Sequence, residues 1–522
     1  MKLALSSSIS KIDEFVKENL GIPIQELIRK SGEAVAKAVC LKLEKGKKVV
    51  VLAGKGNNGA DGYAAAISLI DDYTVVIVDV LGIGLKSVDG KYFYDEYLRK
   101  GGTILNYQTD KSCVEEIKSA DCVVDAIFGT GFKGEMPEKI KELAFVVRAM
   151  VGAHKIAVDV PLGINADNGS VSDSAIYVGS TVQLSYVKPG IISYPAKAFV
   201  GKIIYDDLEL PMSEIERAFE FNYRATDERM AKEILPQRAS NSNKGSFGKL
   251  LLFTGSAKYR GAAHLGTEAA LRTGVGIVTY AGTRAICSEL SSKYPEVIYK
   301  PYKATERFTE ADIKSIVELS NEHSATLIGS GSGNTEGLLN LVLALLASNG
   351  TPIVLDADAI NALSSMGDDG IAAIKNAKRE VIITPHPLEF ARISQDEVSH
   401  VQLHRLEMAE KFAKENNCVV VLKGAGTIIS NGHNTYIDST GTSALAKAGS
   451  GDVLAGVIAS FIAQGGIEPI EAAALAVYFH SKAGENLSTE LSSYGVTPSD
   501  LPCEIARCIA TIEKKQKGNE DL

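Results

Sequence analysis

Apolar and β-branched residues come in short runs along this chain, and segments of helical length separate them. In the first half the runs are 47–54 (KKVVVLAG), 73–80 (YTVVIVDV), 121–129 (DCVVDAIFG) and 154–161 (HKIAVDVP). In the second half they are 249–255 (KLLLFTG), 325–331 (ATLIGSG), 352–358 (PIVLDAD), 380–386 (EVIITPH) and 418–424 (CVVVLKG). A strand exposed on one side alternates apolar and polar residues, whereas a near-continuous apolar run suits a strand buried on both faces of a parallel sheet. Helical segments such as Asp61–Asp71 lie between the runs. Both halves are therefore predicted to be α/β, with parallel or mostly parallel sheets. A hairpin is predicted at Asn431-Gly432, between TIIS and HNTYI. The stretch 208–245 is charged, shows no strand pattern and carries one predicted helix near Asp227–Leu235. The domain boundary is placed there, giving domains 1–215 and 216–522. The tail EKKQKGNEDL is predicted to fray.

Length agrees with two domains, because 522 residues exceed what one core supports. A net charge of -9 leaves no basic excess to neutralise nucleic-acid phosphates, so a nucleic-acid partner is excluded. A nucleotide site, which needs only local donors, is not. The seven cysteines show no CxxC spacing, which predicts neither a disulfide framework nor a zinc site and suits a reducing cytoplasm. No uncharged stretch reaches the ~20 residues of a membrane span, so no membrane partner is predicted.

Candidate chemistry begins at Gly54, Gly56 and Gly59, in GxGxxG spacing between a predicted strand and a predicted helix. Asp79 follows Gly59 by twenty residues, at the end of the next strand. This is the dinucleotide fingerprint in its required context, and a hydride-transferring dehydrogenase is its first reading. Asn57, Asn58 and Asp61 disturb that reading, because a pyrophosphate loop usually stays small. Asp125 and Asp159 end two further strands. Carboxyl ends of parallel strands share one crevice, so Asn58, Asp125 and Asp159 are expected to converge where oxygen ligands suit a hard cation and a carboxylate suits proton transfer.

In the second half, AKAGSGDVLAGVIASFIAQG sets Gly449, Gly451 and Asp452 before a helix of apolar period. Small residues leave the helix N–H groups open to an anion, and a carboxylate there can take a proton from a hydroxyl attacking phosphorus. A glycine turn with aspartate as a cap is the structural alternative. Lys423 and Thr427 flank two glycines after a strand, as in the nucleotide-binding turn of ribokinase-like kinases. His386 stands between two prolines, Gly329, Gly331 and Gly333 follow another strand, and Asp356 and Asp358 end a third, either capping a helix or near magnesium.

Together GKGNNGADGY, DAIFGTGFKGE, VDVPLGINADNG and STVQLSYVKPG resemble the N-terminal domain of the bifunctional NAD(P)H-hydrate repair enzymes, over roughly 10–205. The resemblance implies a Rossmann-like three-layer α/β/α domain that epimerises the R and S hydrates at C6 of the nicotinamide ring. It implies hydrate contacts at Asn57, Asn58, Gly59, Ala60 and Asp61, at Gly129, Thr130, Gly131, Phe132, Lys133, Gly134 and Glu135, and at Asp159, the candidate acid–base group. It also implies K+ near Asn58 and Asp125. Leu162 stands where the family has a serine, so it would serve that ion by its backbone alone. KGSFGKLLLFTGSAKYRGAAHLGTEAALRTGVGIV and the GSGD helix resemble the family's ribokinase-like dehydratase domain, over roughly 228–515. Here the resemblance implies hydrate contacts at Ala262, Gly331, His386 and Asp452, and nucleotide contacts at Lys423, Gly424, Ala425, Gly426, Thr427 and Gly451.

The expected reaction follows from the leaving group. Hydroxide leaves C6 poorly, whereas phosphate leaves well. The resemblance implies ADP as the donor that would phosphorylate the hydroxyl, giving AMP, with Mg2+ neutralising charge and Asp452 as base. The expected partners are NAD(P)HX and ADP, in a cytoplasmic homo-oligomer. A ribokinase-like small-molecule kinase is the alternative, followed by a dehydrogenase and a non-catalytic NAD-binding regulator.

Overall fold

A computed structural model describes every residue except Ile83, Lys86, Lys133, 303–307 and 519–522. The chain divides into two compact units, Lys2–Tyr223 and Arg224–Leu522, the latter with Met1.

The sheet of the first unit runs Thr103–Asn106, Thr74–Asp79, Lys48–Ala53, Cys122–Ala126, His154–Val158, Ser180–Leu184, Lys202–Asp206. All its pairings are parallel. The chain starts in the middle, adds two strands on one side, then returns to add the rest on the other. That reversal falls between Lys48–Ala53 and Cys122–Ala126, where Ala53 pairs with Ala126. A crevice opens at the carboxyl ends of strands where the winding reverses. Alternate residues of one strand serve two cores. Val49, Val51 and Ala53 pack with the helices Ile24–Cys40 and Asn57–Leu69. Val50 and Leu52 pack with Cys113–Lys118 and Glu138–Ala149 on the other face. The unit is thus three-layered, and its central strands read as continuous apolar runs because neither face meets water.

Three strands of this sheet escape the apolar-run criterion. Thr103–Asn106 and Lys202–Asp206 are the two edges and only partly buried. Ser180–Leu184 is fully buried but spends positions on Thr181, whose hydroxyl donates to Val200 O at 2.7 Å, and on Gln183.

The second unit repeats this winding around Lys249–Phe253. Its sheet runs Ile298–Tyr302, Ile277–Thr283, Lys249–Phe253, Ala325–Ile328, Ile353–Leu355, Val381–Ile383 and Val419–Leu422, all parallel. It continues into the antiparallel strands Ile428–Ser430 and Thr435–Asp438. Those two form the predicted hairpin, where Asn431 Oδ1 accepts from the His433 and Asn434 amides. Ile298–Tyr302 carries Pro301 on the outside of the sheet, where a missing N–H costs no ladder bond. The winding reverses between Lys249–Phe253 and Ala325–Ile328. The helices Arg260–Thr273 and Ser450–Gln464 lie very close, a Cβ on Gly456 falling 2.6 Å from Gly266 O.

Two expectations change. The stretch 208–245 does contain a strand, Tyr223–Thr226, too short to register as an apolar run. Its predicted helix is present as Glu228–Ile234, capped by the Asp227 side chain accepting from Met230 N at 2.8 Å. The tail stays helical through Lys517, and the remainder beyond Gly518 lies outside the described residues.

Close helix packing gives a stability prediction. Helix Ile24–Cys40 crosses Asn57–Leu69 at Gly32, where a Cβ would sit 2.4 Å from Ala64 Cβ and 2.6 Å from its backbone carbon. Backbone cannot yield as a side-chain tip can, so Gly32→Ala should destabilise the first unit by about 1–3 kcal/mol through overpacking. Gly131→Ala, where nothing lies within 4 Å, is the control and should leave the unfolding midpoint unchanged. Urea unfolding of the full chain measures both, and equal midpoints would refute the account.

Candidate functional site

In the first unit a cleft of about 560 Å³ opens at the carboxyl ends of the central strands. Its floor is the start of helix Asn57–Leu69, which follows Gly56 and keeps its first N–H groups free of intrahelical partners. Gly59 has no room for a side chain, because a Cβ would lie 2.0 Å from Gly54 O. Asn57, Asn58, Asp61, Gly129, Thr130 and Asp159 all line this cleft. Asn58 is buried, lies against Gly129, and its Nδ2 finds no hydrogen-bond partner among the described residues. Asp159 follows strand His154–Val158 with a left-handed backbone (φ 63°), and its carboxylate pairs with the buried Lys188 ammonium. Lys188 also donates to Leu184 O at 3.2 Å. Two further carboxyls face the same space. Burial pushes Asp13 up to about 6, with Lys188 opposing and Asp159 adding. Burial holds Asp61 well above the usual carboxylate range, the negative charges of Asp159 and Asp13 adding and the Ser31 hydroxyl partly offsetting.

Asp125 lies beneath. It is fully buried, and it accepts from Leu162 N at 2.7 Å and Ile127 N at 3.3 Å. Burial without a cationic partner raises it to about 7 despite those two bonds.

In the second unit the decisive element is the helix Ser450–Gln464. Gly449 enters it with φ 99°, a conformation that favours glycine, and a Cβ there would also strike Leu265 at 2.7 Å. Asp452 lies in the first turn and has neither a hydrogen-bond donor nor an ion-pair partner among the described residues. Burial raises it to about 7, Asp356 adding and Lys423 opposing. Lys423 approaches from the strand Val419–Leu422, with its ammonium 3.3 Å from where a Gly451 Cβ would stand. That ammonium donates to Asp356 Oδ1 at 2.8 Å. Asp356 also accepts from Thr384 Oγ1 at 2.7 Å and Ser330 Oγ at 2.8 Å. Burial alone would lower the Lys423 ammonium, but Asp356 and then Glu389 carry it above its ordinary value. A fixed cation, a helix N-terminus and a carboxyl poised near neutrality therefore share one end of the sheet, the arrangement phosphoryl transfer requires.

Residues 24–190 match the family described as YjeF-related protein N-terminus, and residues 250–507 match NAD(P)H-hydrate dehydratase. A bifunctional NAD(P)H-hydrate repair enzyme of Moorella thermoacetica is 31% identical, over 96% of this chain and 95% of its own. That of Thermofilum pendens is 30% identical over 96% and 95%. The chain belongs to the bifunctional NAD(P)H-hydrate repair enzymes. The kinase, dehydrogenase and regulator readings fall away. Among solved structures, the ADP/ATP-dependent NAD(P)H-hydrate dehydratase from Bacillus subtilis, co-crystallised with ATP/Mg2+, aligns with TM-score 0.48 at 28% identity, covering 57% of this chain and 100% of that one.

Not every expected residue of the repair enzyme meets in one place. Phe132, Gly134 and Glu135 line a second cleft of about 410 Å³, with Gly163 and Asn165. Phe132 stacks on Phe128 with ring centroids 5.7 Å apart. Ala60 is wholly buried, and Lys133 lies outside the described residues. Asp79 does not await a ribose: its carboxylate accepts the backbone amides of Leu81, Gly82 and Gly84 at 3.2, 2.9 and 2.8 Å, closing its own loop. The Leu162 side chain packs in the core and its carbonyl accepts from Ile176 N at 3.1 Å, so that oxygen is already engaged. His386 caps the helix Pro387–Ile393, Nδ1 accepting from Leu388 N and Glu389 N at 3.2 Å. Burial lowers its pKa, with Lys423 adding, and Nε2 faces Glu389 Oε1 at 3.2 Å. Gly331 (φ 62°) lies against the buried Ala262, with 2.7 Å between a Gly331 Cβ and the Ala262 Cβ.

Sequence reasoning passed over Asp13, Ser31, Lys188, Thr384 and Arg405. Arg405 is buried under the Lys423–Thr427 turn and donates to Leu422 O and Lys423 O at 3.0 and 3.2 Å. Its partners are eighteen or so residues away, which no local spacing announces.

The Asp356 cluster carries a prediction. Lys423→Met leaves a buried carboxylate with two hydroxyl donors and no cation, a break that typically costs about 3–5 kcal/mol. Adding Asp356→Asn should recover most of the loss, because the uncompensated charge is gone. Thermal unfolding of the two variants and the parent decides it, and a double variant no more stable than Lys423→Met would refute the pairing.

Proposed function

We propose that the unit Lys2–Tyr223 interconverts the R and S forms of NAD(P)HX, and that the unit Arg224–Leu522 dehydrates the S form at the expense of ADP. The observation that carries the second half is Asp452, a carboxyl without a donor partner at a helix N-terminus, beside Lys423. Asp452 takes the proton of the C6 hydroxyl as its oxygen attacks the β-phosphorus of ADP, and AMP departs. The C6–O bond then breaks with phosphate as leaving group, a C5 proton is lost, and the 5,6 double bond returns. Amides of 449–452 and the Lys423 ammonium stabilise the charge that builds on the phosphoryl oxygens. The turn Lys423, Gly424, Ala425, Gly426 and Thr427 holds the nucleotide, its tip exposed at Gly424 and Ala425 and fixed from behind by Arg405. Ala262, Gly331 and His386 face the hydrate.

Mg2+ enters this reading with the nucleotide, as a hard cation that prefers phosphate oxygens and retained water. Asp356 already accepts from three donors, two on Oδ1 and one on Oδ2, so most of its acceptor capacity is spent within the protein. K+ fits the first unit on different grounds. Asp125 is a buried carboxyl raised to about 7 with no cationic partner among the described residues, so a monovalent ion bound there would hold it ionised. All seven cysteines are free, which supports a reducing, cytoplasmic setting. No helix of the described residues is long and apolar enough to cross a membrane.

Four outcomes are expected. Full-length protein given NADHX and ADP should restore dihydronicotinamide absorbance, and no return with ADP or with ATP would end the proposal. Asp452→Asn should cut dehydration by ~100- to 10,000-fold while ADP binding by calorimetry stays unchanged. A drop under about tenfold would reduce Asp452 to a cap. Because burial raises Asp452, it is protonated below about pH 7 and cannot then accept a proton, so kcat/KM for dehydration should fall as pH drops through that value. For the ion, K+ should raise the unfolding temperature relative to an equal concentration of a bulky organic cation, by stabilising only the folded form. Asp125→Asn should remove the difference, and equal midpoints in the parent would take the ion away.

A further inference from the structure

The first cleft holds more acid than one proton transfer needs. Asp13, from the N-terminal helix Ser6–Asn19, faces Asp61 and Asp159 across it, and Lys188 is the only buried cation among them. Asp159 has its countercharge in place through Lys188. Asp13 has none: among the described residues it accepts no hydrogen bond and makes no ion pair. The helix that carries it is pinned. Its Ser6 amide and hydroxyl donate to Asp167 Oδ1 at 2.6 and 2.7 Å, Phe15 meets Phe219 edge-on at 5.5 Å, and Ile12 and Val16 are fully buried on either side. Asp13 is therefore held by structure in the cleft, in a helix that no functional expectation had touched. Ile9, Ile24, Leu27 and Ile28 form an apolar lip around it, which excludes water from a bound ring.

Resting on the epimerase reading of this unit, we propose that Asp13 is the second proton-transfer group of the epimerase site, the acid that works opposite the Asp159 carboxylate. The carbon inverted is a hemiaminal, bearing a hydroxyl and the ring nitrogen N1. Asp159 takes the hydroxyl proton, the C6–O bond becomes a carbonyl, and the N1–C6 bond breaks with its electron pair going to N1. Asp13 supplies the proton that N1 then takes up. Rotation about C5–C6 presents the other face of the aldehyde. N1 returns its proton to Asp13 and attacks, and the carbonyl oxygen recovers a proton from Asp159. Nothing is oxidised or reduced, and both acids end as they began. A single carboxyl would have to serve two atoms on opposite sides of the bond being broken. Two carboxyls in opposite protonation states divide the task.

The charged groups around Asp13 agree with that division. Asp61, Asp89 and Asp159 face it from other elements, and Glu14 lies beside it, against Lys188 and Lys17. The local excess is negative, so the group lacking its own cation retains a proton more readily, and burial raises Asp13 to about 6.

The test uses the full chain, supplied with the R hydrate and excess ADP, so that epimerisation limits the return of absorbance. Dehydration of the S hydrate is measured alongside as an internal control. Asp13→Asn should lower epimerase kcat by ~100-fold or more, the scale of a lost general acid, with little change in KM and full activity on the S hydrate. Asp13→Glu should restore part of the rate. In the parent, kcat/KM should decline as pH rises above about 6, because Asp13 then loses the proton it donates, and Asp13→Asn should abolish that alkaline limb. A parent that never epimerises the R hydrate overturns the epimerase reading itself. An active parent, with Asp13→Asn matching it in kcat and pH profile, overturns the role of Asp13 alone. Loss of folding is detected separately by the S-hydrate rate and the unfolding midpoint. If Asp13→Asn misfolds, Asp13→Glu serves in its place, and an unshifted profile with an undiminished rate in that variant would count against the proposal.

Discussion

A carboxylate withdrawn from water must be given donors, a cation or a proton, and this constraint organises both sites. Parallel strands end in loops that gather acids into a confined space, and the structure answers each acid differently. Asp356 receives a lysine and two hydroxyls. Asp79 receives three backbone amides. Among the described residues, Asp125 receives two amides and no cation, and Asp452 receives nothing. The acids that are fully answered hold the loops together. Those left unanswered are pushed up to about 7, where a proton can be taken up and released, as the role proposed for Asp452 requires.

The two units reach this arrangement by the same route with different residues. Each begins its sheet in the middle and reverses direction once, so each makes one crevice from strand ends. In the first unit the crevice is furnished by carboxyls and one buried lysine, suited to moving protons between atoms of a single ring. In the second it is furnished by a helix N-terminus and a lysine, suited to an anion. Fold explains where the sites lie; the side chains explain why one exchanges protons and the other handles phosphate.

Much of this was legible in the chain, for identifiable reasons. The central strands announced themselves because burial on both faces forbids polar residues, as at Val49, Val50, Val51 and Leu52. The edge strands did not, because a face turned to water tolerates Lys202 and Tyr205. Asp452 was legible because the glycines around it serve the same local turn. Lys188 was hidden by its separation of 29 positions from Asp159, and Asp13 by lying on a helix outside every motif the sequence offered. His386 was visible, yet its neighbours give it a cap's duties, with Nδ1 occupied by two amides. Leu162 marks the opposite case, a departure from the family whose side chain simply joined the core.

The backbone at Asp159 has a consequence of another kind. A non-glycine residue held at φ 63° stores energy of order 1–3 kcal/mol, which glycine or asparagine would store less of. On the proton-transfer role proposed for Asp159, stability and catalysis pull this position in opposite directions. A library screened only for soluble yield or heat resistance will enrich replacements here that fold better and do nothing, and the losses will pass unnoticed unless turnover of the R hydrate is scored in the same round.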